Sequence, residues 1–360
     1  MNRDRLALSI NGLRHFINGS LGLSRANEVS GFELVLPLLD AVAYNTYVET
    51  VSNKSDTLYL RAKESLTEMT TYAYLAYLQR LTDKFGWKDK QVMLAFDYTD
   101  EEFYGDVQGF DIHGWTGEHG VTGKFKFLTC SIISDEIPEK IPLVSVPILV
   151  GHYKSHTIQY MLNLIAPLVG KIDLLLFDRG FYDKDLMYEL SKSTHPYLIF
   201  VPKQKDKREI LIGLDEGDHV AINNEFVVKK EKTAFYDENI LVFLKQIYDE
   251  KSKKKYDWVF ATNVESVALG NIIMTYKKRW RIETSFRVQD EASIKCKSKD
   301  MKIRYFLFVF QQMLQTQWVC FYKNEAAFKE FLIEIDTLCK DVVAHPKRSF
   351  GKKSESTSKV

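Results

Sequence analysis

Two short apolar runs in this chain each stop on an aspartate, and that pattern limits the folds open to it. Val92–Phe96 reads VMLAF and ends at Asp97; Ile172–Phe177 reads IDLLLF and ends at Asp178, followed by Arg179-Gly180-Phe181. Both runs have strand length and near-continuous apolar character, as expected of strands covered on both faces. Strands of that kind belong to an α/β fold. Ligands of open α/β sheets bind beyond the carboxyl ends of strands, so an aspartate there faces a ligand from a rigid element. Either aspartate alone reads equally well as a turn former or a helix cap. Two of them at strand ends form a joint signal.

A third acid sits in a segment with helical spacing. Tyr276–Phe286 reads YKKRWRIETSF. On one helix, Tyr276, Arg279 and Glu283 share a face, with Arg287 another turn along, while Trp280 and Phe286 fall elsewhere. A carboxylate framed by a phenol and two guanidiniums suits a metal ligand beside a polyanion. A solvated ion-pair face is the plainer alternative for the spacing taken alone.

Composition bounds the rest. A chain of 360 residues exceeds one small core and implies two or three domains. With 45% hydrophobic and 27% charged residues it is ordinary for a globular protein. No apolar run approaches the roughly 20 residues that span a bilayer. The start, MNRDRLALSINGL, is too polar for a secretory signal. The expectation is a cytoplasmic, nucleoid-associated protein with no membrane partner. Cys130, Cys296, Cys320 and Cys339 form no CxxC pair and read as reduced thiols, not as a zinc site. His152 and His156 are four apart, but HYKSH lacks the glutamate of a zinc-protease helix. A net charge of +1 does not advertise nucleic-acid binding. The basic residues are unevenly placed, however. Ile294–Arg304 (IKCKSKDMKIR) and Lys203–Arg208 (KQKDKR) lie close in the chain to the acids, and they are better DNA candidates than Lys251–Lys255. Any one such run alone reads as solvated surface.

The segments FDYTDEEFYG, FDRGFYD, FATN and YKKRWRIETSFR, in this order, resemble the DDE transposases of prokaryotic insertion sequences. They look most like the insertion-sequence-four superfamily and its halobacterial-type branch. The resemblance runs from about Gln91 to about Arg304. It implies an RNase H-like catalytic core, a mixed five-stranded sheet with helices, with a β-rich insertion and flanking helical regions. It makes Asp97, Asp178 and Glu283 the catalytic and metal-binding acids, close enough together to share two Mg2+ ions, with Mn2+ able to substitute. Tyr276 and Arg279 match the first two positions of the family's tyrosine–arginine–glutamate–lysine signature and imply DNA contacts. The lysine position, seven residues after the glutamate, is Asp290; Lys295 or Arg287 is the substitute near it, and Lys297 and Lys299 are further DNA-binding candidates. The implied activity is metal-dependent cleavage of element ends and strand transfer by cut-and-paste. The implied partners are double-stranded DNA with terminal inverted repeats, target DNA, and a second copy of the chain in the DNA complex. A nuclease or resolvase without strand transfer, and a domesticated DNA-binding protein without catalysis, stay open.

The order of elements agrees with such a core. Residues 1–88 carry helical periodicity, clearest in Phe32–Tyr44 and Leu66–Phe85, and form a candidate DNA-binding domain. Residues 89–206 hold the first part of the core, with strands Val92–Asp97, Lys124–Ile133, Leu143–Val150, Ile172–Phe177 and Tyr197–Val201. Helices are expected near Ser155–Leu168 and Lys184–Ser193. The glycines between the first two strands fit a long irregular hairpin, since no helix follows them. Asp178 and Glu283 stand 105 residues apart, more than a strand, a loop and a helix need, so residues 207–255 are read as a β-rich insertion outside the central sheet. Its aromatics and Trp258 read as core before they read as a base-stacking surface. Residues 256–300 return to the core with strand Asp257–Thr262, with Asn263 as a cap for the helix of Glu283. Residues 301–345 form a helical region in which FLFVFQQMLQTQWVCFY is buried, and 346–360 a disordered basic tail.

Overall fold

The computed structural model describes residues 1–24, 29–117, 120–137, 140–265 and 271–345. The tail expected from residue 346 lies outside the described residues. The chain forms two compact units, Leu78–Phe286 and the pair Met1–Tyr77 with Arg287–Val360.

The first unit is built on one sheet. Its strands are β1 (Val92–Phe103), β2 (His113–Gly114), β3 (Gly123–Ile132), β4 (Ile141–Ile148), β5 (Ile172–Phe177), β6 (Tyr197–Phe200), β7 (His219–Lys230), β8 (Thr233–Asp249) and β9 (Lys254–Thr262). Hydrogen bonding runs β4-β3-β1-β5-β6, with β2 also against β3. β1 pairs antiparallel with β3 and parallel with β5, and β5 parallel with β6. This is the RNase H-like order. The apolar runs are buried as their composition requires: Leu94, Ala95, Phe96, Leu175, Leu176 and Phe177 are fully covered. Helices α6 (Lys154–Ile165) and α7 (Lys184–Lys192) follow β4 and β5, close to the expected spans.

β1 does not end at Asp97. Tyr98–Phe103 continue against β3 down to the pair Phe103↔Gly123. The parallel partner β5 stops sooner, its last pair being Phe96↔Phe177. Asp97 therefore stands mid-strand, at the place where β1 loses its neighbour. The segment between β1 and β3 is the irregular hairpin the glycines suggested; Gly109 and Gly120 take positive φ values of 76° and 81°, open to glycine at little cost.

The insertion is not outside the sheet. β9 pairs antiparallel with β6 through Leu198↔Thr262, Ile199↔Ala261 and Phe200↔Phe260. β8 pairs with β9 and β7 with β8, so the sheet continues β6-β9-β8-β7 to nine strands. The physical reason is the edge of β6, whose backbone groups need partners when its side chains are core. The insertion also opens with a helix, α8 (Lys205–Ile212), before its strands begin. β7 is tied to α7: Lys230 Nζ pairs with Asp185 at 2.9 Å and with Glu189. Asn263 caps no helix among the described residues. Its side chain accepts from Tyr197 N–H at 3.0 Å and donates to His195 O at 2.9 Å, closing the β6–β9 end.

The second unit corrects the separation of residues 1–88 from 301–345. It holds α1 (Arg3–Ser20), α2 (Gly31–Ala43), α3 (Val48–Val51), α4 (Ser55–Glu64) and the start of α5 (Thr67–Phe85), together with α11 (Met301–Phe321) and α12 (Phe328–Ala344). α11 is apolar nearly all round and is buried over almost its whole length, as such a helix must be. Its polar residues find partners inside the unit. Tyr74 OH and Thr316 Oγ1 lie 2.8 Å apart, Thr71 Oγ1 and Tyr305 OH 2.7 Å, and Gln317 Nε2 donates to Ser9 O at 3.0 Å. Among the described residues no helix is long and apolar enough to cross a membrane.

Replacing residues 204–262 by a short linker removes β7–β9 and uncovers the β6 edge. The expected outcome is aggregation or loss of the folded sheet by size-exclusion chromatography and circular dichroism; a monomeric variant with unchanged melting would show that β6 needs no cover. A second expectation concerns α2, where Ser30 and Glu33 form a capping box. Lys54 first, and then the Ser30 backbone, pull the Glu33 carboxyl down from 4.5 to about 2. A depressed folded pKa stabilises above the unfolded value and fades as pH falls through the folded one. The destabilisation of Glu33→Ala, read as a shift in urea midpoint, is therefore expected in full above pH 4.5 and gone near pH 2.

Candidate active site

The register Phe96↔Phe177 places Asp97 and Asp178 side by side, one residue beyond the last pair. Adjacent strands run about 5 Å apart, so the two aspartates flank the notch left where β5 ends. Asp97 is held on both oxygens: Oδ1 accepts from Tyr98 N–H at 2.9 Å and Oδ2 from Arg279 at 2.8 Å. Asp178 caps the short turn Arg179–Phe181, accepting from Gly180 N–H at 2.5 Å. That turn is what the Asp-Arg-Gly run encodes. The cap reading of Asp178 is met, and the same residue flanks the notch beside Asp97.

Glu283 reaches the notch through Arg279. The segment expected as one helix is broken in two, α9 (Ile272–Lys277) and α10 (Trp280–Gln289). Across the break the hydrogen bonds tighten to i+3 spacing, with Arg279 N–H on Tyr276 O at 2.9 Å and Ile282 N–H on Arg279 O at 2.9 Å. Arg279 sits in that turn. Its Nη1 donates to Asp97 Oδ2 at 2.8 Å and its Nη2 to Glu283 Oε1 at 2.7 Å. One guanidinium thus separates the two carboxylates. Arg279 is only 5% exposed, whereas the Glu283 side chain is 50% exposed.

The electrostatics follow from this packing. Burial pushes the Asp97 carboxyl up to about 6; Arg279 opposes the rise, while Asp178 and Glu283 add to it. Burial works against the Arg279 charge, but Tyr276, Asp97 and Glu283 more than offset it and raise its pKa. The Tyr276 hydroxyl is pushed up to about 12, by burial first. Tyr276 is 2% exposed. Its ring packs on Phe260 at 5.0 Å and Phe200 at 5.7 Å, and the Arg279 guanidinium lies 5.8 Å from its centre. Tyr276, expected as a DNA contact, thus packs among these rings beside Arg279 and lines the neighbouring cleft.

A cleft of about 270 Å³ opens beside Asp178 and Arg279, walled by Phe200, Tyr256 and Trp258 among others. Trp258 itself is largely buried and belongs to the core, as expected. Of the remaining candidates, Arg287 is an exposed residue of α10, and Lys295, Lys297 and Lys299 belong to the helical unit. There Lys295 N–H donates to Thr46 O at 3.1 Å and Lys297 Nζ lies 4.5 Å from the Tyr47 ring centre. His152 bonds Leu149 O at 3.2 Å and faces Tyr98 OH at 3.5 Å. Sequence reasoning did not single out Arg179 and Tyr256 as cleft residues. The DRG run was visible, but Tyr256 reaches the cleft only through the β6–β9 pairing.

The three acids are hard oxygen donors from two strands and a helix, the ligand type that Mg2+ takes. Burial first, and then the neighbouring Asp178 and Glu283, raise the Asp97 carboxyl, and a cation bound there would favour its charged form. The donor set fits. Among the described residues no three His, Cys, Asp or Glu side chains are already gathered at ion-holding distance, because Arg279 stands between Asp97 and Glu283.

Comparison with known proteins decides the class. Residues 143–314 match the family model described as the transposase DDE domain. Over that span the chain is similar to that domain. Its function is that of a DNA transposase. The matched span includes Asp178 and Glu283 and begins after Asp97, which the sheet register joins to them. A search of the curated proteins found no match. Among solved structures the transposase is similar to the piggyBac transposase, seen by cryo-EM as a synaptic complex with hairpin DNA. The TM-score is 0.56 at 12% identity, covering 96% of this chain and 80% of that one. At that identity the likeness is one of fold.

Asp97→Asn tests the electrostatics directly. A folded carboxyl raised from 3.8 to about 6 binds more protons than the unfolded one, so it lowers stability at neutral pH and the penalty is relieved as pH falls from 6 towards 4. In EDTA the variant is expected to be more stable than wild type at pH 7.5, by up to about 3 kcal/mol, with the gain vanishing near pH 4. Urea unfolding at both pH values reads this. An Asp97→Asn variant less stable at pH 7.5 would contradict it.

Proposed function

We propose that this transposase cuts and pastes an insertion sequence of the insertion-sequence-four superfamily, in its halobacterial-type branch, with Asp97, Asp178 and Glu283 as its catalytic acids. The observation that carries the reading is the notch where β5 ends: Asp97 and Asp178 flank it, and Arg279 links Asp97 to Glu283. The three acids would hold Mg2+, or Mn2+ in its place, as two ions. When bound, such ions activate the attacking hydroxyl and stabilise charge on the leaving oxygen of a phosphodiester.

The chain's own residues do the rest. The sheet fixes the backbone of Asp97 and, one residue past β5, that of Asp178. Gly180 N–H orients one Asp178 oxygen. Arg279 holds Asp97 and Glu283 in place; sharing an ion among all three acids would require it to release one carboxylate, and a DNA phosphate is the anion that would take over that contact. Tyr276 seats the guanidinium from behind. Arg287, Lys295, Lys297 and Lys299 are proposed DNA contacts. The substrate is double-stranded DNA bearing terminal inverted repeats, then target DNA, handled by a homodimer in the cytoplasm.

The test uses purified protein, duplexes carrying the element's own ends, and magnesium. Wild type is expected to nick at the element boundary and to join the freed end to target DNA. Asp97→Ala, Asp178→Ala and Glu283→Ala are each expected to reduce cleavage by at least about 100-fold, the scale on which electrostatic catalytic groups act, while still shifting end DNA in a gel. Nicking without joining would point to a nuclease or resolvase. Binding with neither reaction would point to a domesticated DNA-binding protein.

A further inference from the structure

The cleft beside Asp178 contains a cation that the mechanism above leaves unused. Lys203 follows β6, in the loop before α8, and lines the cleft with Asp178, Arg179, Asp257 and Arg279. We propose that Lys203 binds a backbone phosphate of the DNA strand that reaches the acids, and so acts as a positioning residue for cleavage. The proposal rests on the transposase reading.

Three observations support it. First, Lys203 is placed by the fold: its Nζ donates to Asp257 O of β9 at 3.1 Å, a contact created by the antiparallel pairing of β6 with β9. The insertion therefore aims this side chain at the cleft. Second, its charge is uncommitted. That partner is a neutral carbonyl, and no carboxylate among the described residues lies within ion-pair distance of Lys203. The Asp257 carboxylate in the same wall is already engaged, by Gln246 N–H at 2.9 Å and Lys245 Nζ at 3.9 Å. An ammonium has three donors, and two of those on Lys203 remain for a ligand. Third, Arg279 lines the same cleft; its Nη1 and Nη2 are taken by Asp97 and Glu283, and its Nε is buried without a hydrogen-bond partner among the described residues. Buried donors left unpaired are costly.

The cleft thus presents an unneutralised ammonium next to the proposed acids, with the Arg279 guanidinium in the same wall. A phosphodiester is an anion with several acceptor oxygens, and charge-assisted bonds to it are the strong ones. A strand whose scissile bond lies at Asp97 and Asp178 brings its neighbouring phosphates to this wall. Lys203 then makes a phosphate contact that Asp290, standing at the signature's lysine position, lacks the charge to make.

Lys203→Gln is the informative variant, because an amide can still donate to Asp257 O while carrying no charge. Binding of fluorescent end duplex is measured in EDTA from 50 to 200 mM salt. Lys203→Gln is expected to reduce the slope of log affinity against log salt by about one, with Lys203→Arg restoring it. Lys205→Ala, an exposed position on α8, is expected to leave the slope unchanged. With magnesium, end cleavage by Lys203→Gln should fall through a raised KM and a lowered kcat/KM. A Lys203→Gln protein with wild-type melting temperature and wild-type slope overturns the proposal, as does failure of Lys203→Arg to restore the slope. Wild type that shows the slope change at Lys203 but never nicks end DNA would count against the transposition chemistry and leave the phosphate contact standing.

Discussion

The candidate site depends on one buried guanidinium. Arg279 sits in a tightened turn, backed by the Tyr276 ring, with two of its nitrogens on carboxylates from different elements. Without it, Asp97 and Asp178 would be two half-buried acids repelling across a strand gap, and Glu283 a solvated side chain on a helix. Buried ion pairs of this kind are weak evidence for stability, and the raised Asp97 carboxyl shows that the arrangement is not optimised for it. Strain at an acid that the protein nonetheless keeps charged near neutrality is the pattern of a functional site.

Much of this was legible in the residues because the relevant signals are local. VMLAF and IDLLLF are apolar enough to be double-covered strands, and the acids that end them could be numbered before any fold was known. The run of Tyr276, Arg279 and Glu283 gave the right neighbours even though the helix carrying them is broken, because i+3 and i+4 spacings survive an i+3 turn. What could not be read is long-range pairing. Nothing in HVAINNEFVVKK or NILVFLKQIY says whether the strands close on themselves or extend an existing edge. That choice is made by β6, whose second edge needs hydrogen bonds. The same limit applies to β1, whose continuation past Asp97 depends on β3, and to the helical ends of the chain. Thr71, Tyr74 and Ser9 meet Tyr305, Thr316, Gln317 and Tyr322 inside one unit, and no local pattern announces partners more than 200 residues away.

The DDE domain match starts at residue 143, so family likeness alone does not reach Asp97. The register of two strands does. Sequence likeness and backbone pairing here supply different parts of the same site.

The continuous pairing from β1 through β5, β6 and β9 has a consequence for local opening. Strands joined by an unbroken ladder cannot open independently; freeing β9 first requires breaking the bonds it shares with β6 and β8. Amide protons along Val259–Ala261 should therefore exchange with solvent on the slow timescale of Leu198–Phe200 and Leu175–Phe177, as one cooperative block. A wall that opens only when the strands leading to Asp97 and Asp178 themselves open keeps its distance to those acids fixed between encounters with DNA. Whatever the cleft grips is then held against a surface that does not breathe separately from the chemistry.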